Sequence, residues 1–313
     1  MAGRLNAAAL PAWLRAPYAQ FADGLSADRV PHALIVQCPD GWAVERLAAA
    51  MTCDLLEIET RLDVREFAHP DFVWLAPEEG SLQYKVAQLR AAIDFMQRTA
   101  QAGGRKVLVL SAAERLSVES ANTLLKTLEE PPPGSHWLLL SESPGQLLAT
   151  IRSRCQRLDA TPGLDADGGE LIDELLDGER ADASQREMLA FEYAGAPEPV
   201  AAAILAGDGP LWPHLERLLA GRASATETAE TLQAWGSAEL LNAWQRYQHA
   251  ALAGKLPSYV TPRPPAAHPG IDRSAQELLR HRRLLARHAG VNVRLVLERL
   301  ARQWAKTWAQ ACA

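Results

Sequence analysis

The chain has 313 residues, long for one α/β core and comfortable for two or three domains. Apolar residues make up 48% and charged residues 22%, a globular balance that excludes a disordered, collagen-like or disulfide-scaffold protein. The net charge of −6 argues against a surface built throughout for nucleic acid. No apolar run approaches the roughly 18 residues of a membrane span. The short apolar stretch near the N-terminus is broken by Pro11 and is not expected to act as a secretory signal. Cys38, Cys53, Cys155 and Cys312 are scattered with no CxxC pair, so a reduced, cytoplasmic setting is expected.

The first 160 residues alternate strand and helix patterns. HALIVQC (32–38) reads as a buried strand, PDG (39–41) breaks it, and VERLAAAMTCDLL (44–56) has helical periodicity. DFVWLAP (71–77) reads as a second strand and VAQLRAAIDFMQRTAQ (86–101) as a helix stopped by Gly103 and Gly104. KVLVLS (106–111) is a strand, VESANTLLKTLEE (118–130) an amphipathic helix ended by three prolines, and HWLLLSES (136–143) a further strand. Strands separated by helices at this spacing predict a mainly parallel sheet covered on both faces. After residue 160 only helical patterns remain, including a pair around GAPEP (195–199), with a proline-rich break at 257–269. The expected division is 1–160, 161–207 and 208–313.

A strand, a broken turn and a helix at 37–44 is where a phosphate-cradling loop would sit. Such a loop needs G-x-x-x-x-G-K-[ST]: glycines for backbone approach, Lys for the phosphate oxygens, a hydroxyl for Mg²⁺. Here Gln37 and Trp42 stand at the glycine positions, Ala43 replaces the lysine, Val44 replaces the hydroxyl, and Asp40 beside Gly41 would repel phosphate. The strand that should end in Mg²⁺-binding acids ends Ser111-Ala112-Ala113, with Glu114 past the expected place. Two parts of an ATPase site are missing together, which predicts a nucleotide-binding scaffold without its own ATPase and a chain that binds no cofactor.

SANTLLKTLEEPP (120–132), followed by ATIRSRCQRL (149–158), resembles the clamp-loader branch of the AAA+ superfamily, as does QLRAAIDFMQRTAQAGGRKVLVLSAAERLS (88–117). The resemblance covers residues 32–158 well; beyond them it lies in helical character and in NVRLVLERLARQW. It implies a RecA-like AAA+ domain with a degenerate phosphate loop, a small helical lid, and an all-α C-terminal domain that packs into an oligomeric collar. It further implies a stator within a hetero-pentameric, ATP-driven ring with gamma/tau and delta subunits, which loads a sliding clamp onto primed DNA. ATP and Mg²⁺ would be bound by those partners, and no catalysis is expected from the isolated chain. The arginine of the Ser153-Arg154-Cys155 motif is implied to reach a neighbouring subunit's ATP as an arginine finger, a use suited to a permanently charged, planar fork. The rival is a self-sufficient motor subunit of the same loader, disfavoured by the residues at 37–44. A third reading is a scaffold in which Arg154 does no chemistry.

Relatives usually carry a four-cysteine zinc module before an HPD segment. Here His69-Pro70-Asp71 is present but only Cys53 precedes it, too few ligands for tetrahedral zinc, so no metal is expected. AGAPEPVAA (194–202) offers no counterpart to the lid arginine that contacts a subunit's own nucleotide. Cys155 reads as a small apolar residue rather than a nucleophile. Glu129 and Glu130 read as a helix end with ion pairs, and Lys126 as solvated. Trp235, Trp244, Trp304 and Trp308 read as core. Residues 165–192 hold ten acids against Arg180 and Arg186, and residues 271–313 nine basic residues against three acids. These read as helical surfaces of opposite sign, or as contact patches for partners.

Overall fold

Alternating apolar strands and amphipathic helices leave one economical arrangement, a parallel sheet with helices on its faces, and the computed structural model has that arrangement. It describes residues 10–58, 68–78, 81, 83–163, 165–179, 181–235, 237–287 and 291–313. The chain divides into two units, Met1–Leu171 and Ile172–Ala313.

The first unit runs α1 (Ala12–Ser26), β1 (Ala33–Gln37), α2 (Val44–Leu56), β2 (Phe72–Leu75), α3 (Val86–Gln97), β3 (Lys106–Leu110), α4 (Val118–Glu129), β4 (Ser135–Ser141), α5 (Ala149–Arg152) and β5 (Gln156–Asp159). The sheet order is β2-β3-β4-β1-β5, with every pairing parallel. On one face, Ile35, Leu108, Leu110, Trp137 and Leu139 form a core with Leu89 and Met96 of α3 and Leu124 and Leu128 of α4. On the other, α2 packs against β3 and β4, and α1 packs on α2. Burial on both faces explains why β3 is apolar from Val107 to Leu110.

Three features depart from the sequence expectation or go beyond it. β5 has no apolar run because it lies at the sheet edge, with only Leu158 of its four residues buried. α1 begins directly after Pro11, a residue suited to a helix start. α3 ends at Gln97, short of 101, because the following turn is captured elsewhere. Gln101 donates its backbone N–H to both carboxylate oxygens of the fully buried Asp71 at 2.9 Å, and Ala102 donates to the same group at 2.6 Å. Buried Lys106 lies 3.8 Å from Asp71, donates to the Phe95 carbonyl at 2.9 Å and sits 4.2 Å above the Phe95 ring. Asp71 thus ties the entrance of β2 to the entrance of β3.

The unit boundary falls inside α6 (Gly169–Leu176). The second unit continues with α7 (Ala183–Glu192), α8 (Pro197–Ala206), α9 (Trp212–Leu219), α10 (Ala225–Leu232), α11 (Ser237–Leu252), α12 (Pro269–Arg287) and α13 (Val293–Cys312). Ile172, Leu176, Leu189, Val200 and Ile204 form one small core. A larger one gathers Trp212, Trp244, Tyr247, Trp304 and Trp308, with Trp235 at its margin. The rings of Trp304 and Trp308 lie 5.0 Å apart, and Trp212 meets Trp304 edge-on at 6.4 Å. These tryptophans are packing residues, not platforms for bases. Buried Glu192 accepts from the backbone N–H groups of Leu211 and Trp212 at 2.9 and 3.1 Å, and from the Tyr247 hydroxyl at 2.8 Å. It satisfies donors at the start of α9 that no side chain of that helix reaches. Among the described residues, no helix is long and apolar enough to cross a membrane.

Candidate functional site

In this architecture ligands bind at the carboxyl ends of the strands, above β1 and the start of the helix that follows it. The residues there do not fit a nucleoside triphosphate. Gly41 and Ala43 both turn the chain with positive φ, 75° and 60°. Ala43, where a lysine would be needed, is fully buried, and Val44 begins α2 without a hydroxyl. Trp42 is 7% exposed and meets Trp13 of α1 edge to face at 5.2 Å. Trp13 Nε1 donates to the Trp42 carbonyl at 3.1 Å, and the Cys38 thiol points at that same oxygen at 3.9 Å. The loop is held by aromatic packing and its own backbone instead of being left open around an anion.

The charge at this edge is also wrong for phosphate. Burial raises the Glu142 carboxyl above the ordinary carboxylate range, and the negative charges of Asp40 and Glu114 raise it further. Glu114 Oε2 and Gln37 Oε1 are buried without hydrogen-bond partners, and both are acceptors that call for a donor, not for an anion. The lining of residues 37–44 therefore does not fit a triphosphate with its Mg²⁺.

The second sequence-predicted position is built differently. α4 ends at Glu129, before the prolines 131–133. α5 is a single turn capped by Ser153, and Arg154 follows it at the head of β5. The fold brings these two stretches together. Arg154 Nε donates to Glu129 Oε1 at 2.9 Å, and Nη2 donates to the same oxygen. Nη1 donates to the Thr150 carbonyl at 2.8 Å and to Ser153 Oγ at 3.2 Å. The Arg154 side chain is 31% exposed, so the guanidinium lies at the surface, supported from within its own chain. Lys126 and Glu130, on the same helix end, are exposed. Sequence reading singled out Arg154 and treated Glu129 as a generic ion-pairing residue; the partnership between them needed the fold.

Cys155 is partly buried against the sheet core, and burial pushes its thiol up to about 12, which suits packing and not nucleophilic attack. Burial, and secondarily Asp54, pushes the Cys53 thiol up to about 11. Residues 59–67, part of the stretch before His69-Pro70-Asp71 in which the resemblance would put a zinc module, lie outside the described residues. Among the described residues, no group of three His, Cys, Asp or Glu side chains is arranged to hold a metal ion.

Residues 14–162 match the family described as DNA polymerase III, delta subunit. The DNA polymerase III subunit delta' of Pseudomonas aeruginosa is 39% identical over 173 residues, 54% of this chain and 51% of that protein. The DNA polymerase III subunit tau of Escherichia coli is 34% identical over 142 residues, 43% of this chain and 22% of that protein. The chain thus spans about half the length of the delta' relative it matches. A DNA polymerase III gamma subunit-related protein of Thermotoga maritima shares the fold, with a TM-score of 0.54 at 15% identity over 96% of this chain and 100% of that one. Over residues 14–162, then, the chain is similar to DNA polymerase III delta' subunits.

Proposed function

We propose that this chain is the stator of a clamp-loader ring. It hydrolyses no ATP itself, assembles with gamma/tau and delta subunits in a hetero-pentamer, and supplies Arg154 to the nucleotide held by a neighbour. The ring then loads a sliding clamp onto primed DNA in the cytoplasm. The observation that carries this reading is a contrast within one domain. The loop at 37–44 is packed shut by Trp13 and Trp42, while Arg154 is kept at the surface. With that loop closed, Arg154 has no phosphate of its own to serve, and a guanidinium aimed at a developing phosphoryl charge is the residue such a transfer uses from outside. Residues 161–207 serve as the lid and 208–313 as the collar; the separate cores around Val200 and around Trp304 support that division.

The test is assembly and loading together. Co-expression with gamma/tau and delta, followed by native mass spectrometry, is expected to give a five-subunit complex containing one copy of this chain. Omitting the chain is expected to abolish clamp loading. A complex that assembles and loads equally well without it would overturn the assignment. The motor-subunit alternative predicts ATP turnover by the chain alone.

A further inference from the structure

The hydrogen bonds of Arg154 assign a second role at the same position, one that rests on the proposed function. A guanidinium carries five N–H donors. Nε and one hydrogen of Nη2 go to Glu129 Oε1, and both hydrogens of Nη1 go to the Thr150 carbonyl and Ser153 Oγ. One N–H, on Nη2, is left over. A phosphate is gripped through two parallel N–H bonds. The edge formed by Nε and Nη2 is suited to that grip, and Glu129 occupies it.

We propose that Glu129 is a built-in competitor for Arg154: it holds the guanidinium on this chain until the phosphoryl oxygens of a neighbour's nucleotide displace it. The sequence provides a firm mount for the carboxylate, since Glu129 closes the last turn of α4 and three prolines follow. The electrostatics make the exchange easy. The two side chains are 31% and 49% exposed, and exposed pairs of this kind shift an equilibrium by only roughly 1.5- to 5-fold. A phosphoryl group gathering charge in the transition state offers more negative charge and more acceptor atoms than one carboxylate oxygen. Before a neighbour docks, the contact keeps Arg154 ordered and its charge neutralised, which disfavours capture by stray anions. The bonds to Thr150 and Ser153 do not involve the Nε–Nη2 edge, so they can persist through the exchange.

The experiment uses reconstituted rings containing the unmodified chain, Glu129→Gln, Arg154→Ala or both changes. Single-turnover ATP hydrolysis is measured in the presence of clamp and primed DNA, with assembly checked by native mass spectrometry. Glu129→Gln is expected to raise the rate roughly 1.5- to 5-fold at low salt. The gain should shrink as ionic strength rises, because the pair is exposed to screening. It should vanish in the Arg154→Ala background. Glu129→Ala, run alongside, should behave like Glu129→Gln. A Glu129→Gln ring no faster than the unmodified ring, while Arg154→Ala is slow, would overturn the competitor role and leave the proposed function standing. A gain that persists without Arg154 would overturn it as well. Normal turnover by Arg154→Ala rings would remove the proposed function, and the competitor role with it.

Discussion

Trp13 and Trp42 meet edge to face with ring centroids 5.2 Å apart, and the indole N–H of Trp13 donates to the carbonyl of Trp42. This pair fastens the loop before α2 to α1, so the misfit of this loop for a triphosphate is structural as well as chemical. Restoring the missing side chains alone is therefore not enough. Calorimetric titration with Mg-ATP at tens of micromolar protein is expected to show no binding heat for the unmodified chain. Ala43→Lys combined with Val44→Thr is expected to show none either. Ala43 is completely buried with positive φ, a setting that disfavours a long charged side chain, and Asp40 and Glu142 stay in place. A stoichiometric site of micromolar affinity in either protein would contradict this.

Asp71 offers a test of what holds the sheet together. Its carboxylate is fully buried, accepts from two backbone N–H groups and lies 3.8 Å from buried Lys106. Asp71→Ala leaves buried Lys106 without its counter-charge and two amides without their acceptor, and should destabilise the fold by about 3–5 kcal/mol. Glu57→Ala removes the carboxylate 3.3 Å from Arg105, where the Glu57 side chain is 77% exposed. That change should be worth less than about 1 kcal/mol. Urea midpoints of the two variants provide the comparison, and equal shifts would refute the ranking.

Glu192 makes stability depend on pH in an unusual direction. Burial raises its carboxyl from the ordinary 4.5 to about 7, outweighing the lowering effect of the Leu211, Tyr247 and Trp212 donors. Between those values the folded chain binds more protons here than the unfolded chain. The contribution of this group is therefore greatest below pH 4.5 and is lost as pH rises through 7, by an amount on the order of 3 kcal/mol. Glu192→Gln keeps an acceptor for the start of α9 and removes the titration. The stability difference between unmodified chain and Glu192→Gln should move in favour of Gln across pH 5 to 8. A pH-independent difference would contradict the assignment. Glu192→Ala should lose stability throughout, because amide donors are left unsatisfied.

Much of this molecule is legible in its sequence, for physical reasons that also set the limits. The helix over 44–56 and the strand at 106–110 coincide with their patterns because each buries a continuous apolar face. β5 is illegible because an edge strand needs little apolar surface and shows Gln156, Arg157 and Asp159 to solvent. The early end of α3 is illegible because Asp71, which captures residues 101 and 102, lies 30 residues upstream. At the candidate site, the missing lysine and hydroxyl of 43–44 could be read directly. The Trp13 brace and the Glu129 contact could not, because both are pairings made only by the fold.

The central claim, that this chain acts through Arg154 on a neighbour's nucleotide, is tested most directly by comparing rings containing the unmodified chain with rings containing Arg154→Ala. Subunit content by native mass spectrometry and clamp- and DNA-stimulated ATP turnover are measured on the same preparation. The account predicts intact rings with lowered turnover and a larger loss in clamp loading. It also predicts little rescue by Arg154→Lys, since a point charge lacks the planar fork. Intact Arg154→Ala rings with normal turnover and normal loading would contradict it.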